Sequence, residues 1–149
     1  MKNLILAVTS FCSSILAPIA NLWARIYMGL IFWKSGVAKL ADMEETVENF
    51  DPEEDGDFII SFLPESIPPE IPAYMATIGE LVLPAMLFVG LFTRIGALGL
   101  LIMTIVIQFF VEGFSFDFHY LWMIIFAMLA AYGGDKLSLD YLLDRKLKQ

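Results

Sequence analysis

The chain has 149 residues, 58% of them hydrophobic and only 17% charged, with a mean hydropathy of +0.72. A water-soluble domain of this size needs more charge on its surface, so the composition points to one small polytopic membrane domain. Nucleic-acid binding is unsupported by a net charge of −8 without any basic stripe; one cysteine excludes an internal disulfide or iron–sulfur cluster, and one histidine a bis-histidine haem or multi-histidine metal site within the chain.

The opening run "MKNLILAVTSFCSSILAPIA" has one Lys and an apolar stretch, but Pro18 stands where a small residue is needed for cleavage after Ala20. Residues 1–18 therefore read as a retained segment, an interfacial helix or the first turns leading into the membrane. Segment one follows over about Ile19–Leu40. Residues 43–71 then read as a long external acidic loop. Of the 17 acidic residues, 11 fall between Asp42 and Glu70, with no Lys or Arg among them. Within the loop "FIISFL" is apolar enough to lie along the bilayer, and "PESIPPEIP" is extended and stiff.

Segment two covers about Pro72–Phe92, and "FTRIG" turns it tightly into segment three, about Ile95–Val111. These two are adjacent antiparallel helices. A short "EGFSFDF" leads to segment four, about His119–Tyr132, whose start shifts toward Phe116 if it is to span. No segment alternates like a strand, and helices satisfy their own backbone in lipid, so the expected fold is an all-α membrane bundle of four helices. Gly133 and Gly134 stop the last of them. In the tail, residues 135–149, Ser138 is a good N-cap for an amphipathic helix with Leu139, Leu142 and Leu143 on the membrane.

Lys2, Arg94, Lys136, Arg145, Lys146 and Lys148 fall on one side of such a four-pass chain. The positive-inside rule then places both termini in the cytoplasm and the acidic loop outside; the expected location is a bacterial-type inner membrane. Lys34 and Lys39 are exceptions, in the outer half of segment one. On a helical wheel Arg25, Gly29, Phe32, Gly36 and Lys39 share a narrow sector, and two glycines there allow a second helix to approach. Glu80, Pro84, Leu87, Leu91 and Arg94 share a face of segment two. Lys34 points away and can snorkel.

Glu80 sits inside an apolar run, where a lone carboxylate is costly. Lys39 is its expected partner, with Arg25 and Lys34 as alternatives. Arg25, Lys39, Glu80, Gln108 and His119 make up the candidate polar cluster, and Trp33, Tyr120 and Trp122 are the candidate aromatic walls. The plainer readings are a Lys–Glu rivet fixing helix register, a polar interfacial histidine, and an aromatic belt. The functional reading is a pocket open to lipid for a quinone head group, which needs hydrogen-bond donors, an acid or base, and flat walls. No metal-held or covalent cofactor is predicted.

The blocks "RIYMGLIFWKSGVAKL", "GELVLPAMLFVGLFTRIGAL" and "YGGDKLSLDYLL", in this order, resemble the DoxX family of small four-helix membrane proteins. The resemblance covers most of the chain apart from its N-terminal stretch and the acidic loop. It implies the four-helix fold, marks Arg25, Lys39, Glu80 and Arg94 as the family's charged positions, and implies a link to quinone-dependent sulfur oxidation and membrane oxidoreductase complexes. The expected function is a subunit or accessory of such a system, with a partner oxidoreductase subunit and the lipid bilayer as contacts. The alternatives are a noncatalytic assembly or stress-response factor working through protein contacts, and a small transporter using Glu80. A homo-oligomer stays open.

Overall fold

A computed structural model describes residues 1–51, 64, 66–111 and 117–148. Its elements are α1 (Lys2–Phe11), a π-helical turn (Cys12–Leu16), α2 (Ala17–Ala41), α3 (Met43–Glu48), α4 (Glu70–Val89), α5 (Thr93–Phe110), α6 (Asp117–Tyr132) and α7 (Leu139–Leu147). The four expected spans are α2, α4, α5 and α6. Helix α2 packs on α4, α4 on α5, α5 on α6, and α6 closes back on α2. The fold is an all-α four-helix bundle.

Lys2 to Ala41 forms one helical stretch of 40 residues, and it, α4 and α5 are each long and apolar enough to cross a membrane; α6 is a shorter apolar helix. The core joins Met28 and Phe32 of α2, Leu87 of α4, Ala97 and Leu100 of α5, and Phe126 and Leu129 of α6. Large apolar side chains also point outward, among them Trp23 (71% exposed) and Met75 (69%). Such a surface suits lipid and not water.

Local signals account for the helix ends. Gly90 takes the left-handed conformation at φ 69° after α4, and its N–H bonds the Met86 carbonyl at 2.9 Å. Phe92 is also left-handed, at φ 52°. The tail steadies it: Asp140 accepts from the N–H groups of Phe92 (2.7 Å) and Thr93 (2.8 Å), so a distant carboxylate caps α5. Ser138 caps α7 as its sequence predicts, accepting from Tyr141 N–H at 3.2 Å.

Part of the acidic stretch is not loop. Asp42 accepts from Glu45 N–H at 3.0 Å and starts α3, while Thr46 Oγ1 donates to the carbonyls of Asp42 (2.7 Å) and Lys39 (3.1 Å). Thr46 and Phe50 are buried, so this segment folds over the end of α2. The run "FIISFL", residues 58–63, lies outside the described residues, as does Phe116.

Candidate functional site

Gly36 determines how closely α2 meets α4. A Cβ at Gly36 would stand 2.9 Å from Glu80 Cβ and 3.0 Å from the Glu80 carbonyl carbon, so only a glycine admits α4 at this distance. One turn further along α2, Lys39 Nζ reaches both Glu80 oxygens at 3.0 Å and donates to Ser35 Oγ at 2.8 Å. The side chains are 13% and 5% exposed. Ser35 and Lys39 are four residues apart on one helix face, so the serine steers the ammonium toward α4. Pro84 has no N–H for the Glu80 carbonyl four residues back, which loosens α4 at the level of the pair. Lys39 is thus the partner of Glu80, as the sequence predicts, and Lys34 is exposed and turned away.

A second polar pair joins α5 to α6. Gln108 Oε1 and His119 Nδ1 lie 2.8 Å apart, both residues buried. The His119 ring sits against Trp122 (centroids 4.9 Å) and Phe118 (5.0 Å), and Trp122 meets Phe32 edge-on at 5.9 Å. Between the two pairs lies a cavity of about 710 Å³ to which all four bundle helices contribute. Lys39, Glu80, His119 and Trp122 line it together with apolar side chains such as Ile31, Met103 and Ile107. Its rim residues Ile71, Met75 and Ile102 are exposed, so the cavity opens sideways to lipid. Ser35, Phe50 and Phe118 also line it and were not singled out from sequence. The step of four from Ser35 to Lys39 was the available signal for the first.

Other predicted members lie elsewhere. Trp33 and Tyr120 are not cavity walls: Trp33 packs on Phe88 (5.8 Å) and Tyr120 on Phe109 (6.3 Å), both exposed on the outer surface. Their rings follow the neighbouring helix ridge, which is as apolar as the interior. Arg25 does not join the Lys39–Glu80 cluster either. Fourteen residues of helix, about 21 Å, separate Arg25 from Lys39.

Arg25 instead organises the opposite end of the bundle. Fully buried, it donates from Nη1 to the Leu87 carbonyl (3.2 Å) and from Nη2 to the Leu137 carbonyl. The Asp140 N–H bonds the Gly90 carbonyl at 2.9 Å, and Asn21 Nδ2 bonds the Gly133 carbonyl at 2.8 Å. Together these bonds tie the tail to the α4–α5 turn and to α2. Arg94 is exposed, its side chain passing over Gly133. The charged positions therefore divide into two groups: Lys39 and Glu80 line a cavity at one end, while Arg25 anchors the tail at the other.

The DoxX family model matches residues 20–113, more than half of the chain. The match includes Arg25, Lys39, Glu80, Arg94 and Gln108, and stops before α6. Comparison with curated proteins and with solved structures gives no match.

Proposed function

The chain belongs to the DoxX family of membrane proteins, and from this premise we propose that it is a quinone-binding subunit or accessory of a membrane oxidoreductase system. One observation carries the proposal: a lipid-facing cavity of about 710 Å³ in which Lys39, Glu80, His119 and Trp122 converge among apolar walls. That volume lies within the range of about 300–1,000 Å³ usual for small-molecule sites, and such sites combine apolar walls with a few placed polar groups.

The residues present suit a quinone. Lys39 can donate a hydrogen bond to a ring carbonyl once the carbonyl replaces one of its present acceptors, Ser35 Oγ or a Glu80 oxygen, and Glu80 holds its ammonium in place. Trp122 and Phe118, packed together with ring centroids 5.0 Å apart, form one aromatic wall for a planar ring, and the apolar rim accommodates a prenyl tail. A bound quinone would supply two-electron, two-proton chemistry, with a partner oxidoreductase delivering the electrons. The chain's own part is to orient the head group and keep bulk water from it.

The test is saturable binding of a short-chain quinone to the purified protein in detergent, read by quenching of tryptophan fluorescence. Quenching should be largely lost in Trp122→Phe and retained in Trp33→Phe. No saturable binding, or equal loss in both variants, sinks the proposal.

A second reading has its own observation. Both Glu80 oxygens are occupied by Lys39, as in a rivet that fixes helix register. On this reading the protein is a noncatalytic assembly or stress-response factor that works through protein contacts. For either reading we place the chain in a bacterial-type inner membrane with both termini cytoplasmic. The support is that Arg94, Lys136, Arg145 and Lys146 lie at one end of the bundle while α3, with Glu44, Glu45 and Glu48, lies at the other.

A further inference from the structure

No part of the bundle covers residues 1–17: each is exposed, including Leu4 (70%), Ile5 (63%) and Phe11 (55%). Length makes this a problem. At about 1.5 Å per residue the stretch Lys2–Ala41 measures about 60 Å, twice a hydrocarbon layer of about 30 Å. The 25 residues of α2 fill that layer by themselves. A straight α1 would carry its apolar side chains into water.

Helical phase shows what does cover it. Leu4, Val8, Phe11 and Ile15 follow one another in steps of four, three and four, so they form one stripe. Lys2, Asn3, Thr9, Ser10 and Ser13 occupy the opposite arc, with Leu6 the one apolar intruder. This is the pattern of a helix lying in an interface.

The junction with α2 is built to bend. A π-helical turn spans Cys12–Leu16. Pro18 follows, with no N–H to return to the helix. Thr9 Oγ1 bonds the Ile5 carbonyl at 2.9 Å and Ser13 Oγ the Ser10 carbonyl at 3.3 Å, and such back-bonds bend helices. At the same end of the bundle α7 exposes Leu139, Leu142 and Leu143, and its last turn carries Arg145 and Lys146, while its acids are engaged elsewhere: Asp140 caps α5 and Asp144 pairs with Lys148. A second amphipathic helix with basic residues there makes an anionic lipid surface the fitting occupant.

We propose that α1 is a membrane-interface anchor: it turns at the π-helical segment and lies in the plane of the bilayer at the α7 end. Its Leu4–Val8–Phe11 stripe enters the acyl boundary, and Lys2 meets anionic phosphate head groups. The two amphipathic helices then hold the bundle at a fixed depth.

The test uses the full chain in vesicles of phosphatidylcholine and phosphatidylglycerol. In a Cys12→Ser background, single cysteines replace Leu4, Val8, Phe11, Asn3 or Ser10 and carry an environment-sensitive fluorophore. Labels at Leu4, Val8 and Phe11 should be shielded several-fold from aqueous iodide and quenched by a nitroxide placed high on the lipid chain. Labels at Asn3 and Ser10 should stay open to iodide. Quenching of all five by a nitroxide deep in the bilayer would mean that α1 continues through it. Uniform iodide access, or shielding from iodide and lipid quenchers alike, would mean water or a protein partner covers the stripe. An intact mass lacking residues 1–16 would remove the anchor from the mature protein. Each of these results overturns the proposal.

Discussion

Gly36 of α2 and Glu80 of α4 touch so closely that a methyl group on Gly36 would lie 2.9 Å from Glu80 Cβ. This contact brings the two helix backbones together, and the Lys39–Glu80 pair one turn away depends on it. The glycine makes the approach, the proline at position 84 loosens the facing backbone, and the lysine neutralises the carboxylate that the approach buries.

Gly36→Leu should therefore separate α2 from α4 and lower the midpoint of thermal unfolding in detergent. Gly36→Ala should do so to a smaller extent, since a single methyl already meets Glu80. Lys34→Leu, on an exposed position, is the control and should leave the midpoint in place. If Gly36→Leu melts like the parent, the close packing at Glu80 contributes nothing to stability.

The pair itself separates the two functional readings. Removing one member of a buried ion pair strands the other, at a typical cost of about 3–5 kcal/mol, whereas removing both can be nearly neutral. Glu80→Gln and Lys39→Met should each destabilise the protein, and the double variant should regain much of the loss. Complementation of a deletion strain is measured alongside. A double variant that folds but does not complement supports a chemical role for the pair; one that folds and complements leaves only a rivet.

At the other end, Asp140→Ala should free the tail from the α4–α5 turn. A lost N-cap typically costs about 1 kcal/mol, and here two N–H groups lose their acceptor. Hydrogen exchange over residues 135–147 should accelerate in this variant and again in Arg25→Met, which loses the bonds to Leu87 and Leu137. Unchanged exchange in both would show that the tail is held by other contacts.

Sidedness is open to direct measurement. With Cys12 replaced by Ser, a cysteine at Glu48 should react with an impermeant thiol reagent in intact cells. A cysteine at Lys146 should react only after permeabilisation. The reverse pattern would invert the topology.

Much of this architecture is legible in the chain as written, because its signals are local. Hydropathy marks the spans, Ser138 announces its helix, and the wheel places Gly36 and Lys39 on one face opposite a carboxylate that needs a cation. The acidic composition of residues 42–48 hides a short helix, since its one polar cap, Asp42, resembles every other acid around it. Trp33, Trp122 and Tyr120 look alike in sequence, yet only Trp122 borders the cavity. Lipid is as apolar as the bundle core, so hydropathy identifies a membrane helix without saying which of its faces turns inward.

Glycines and charges orient a helix; aromatic and aliphatic residues alone do not. The identity of the spans and the need to pair Glu80 thus follow from residue types and spacing. The cavity exists because α6 returns against α2 and brings His119 and Trp122 toward Lys39. The tail latch exists because Asp140 meets Phe92 across 48 residues of chain. Both depend on which helices become neighbours, and that is decided by packing among elements far apart in sequence.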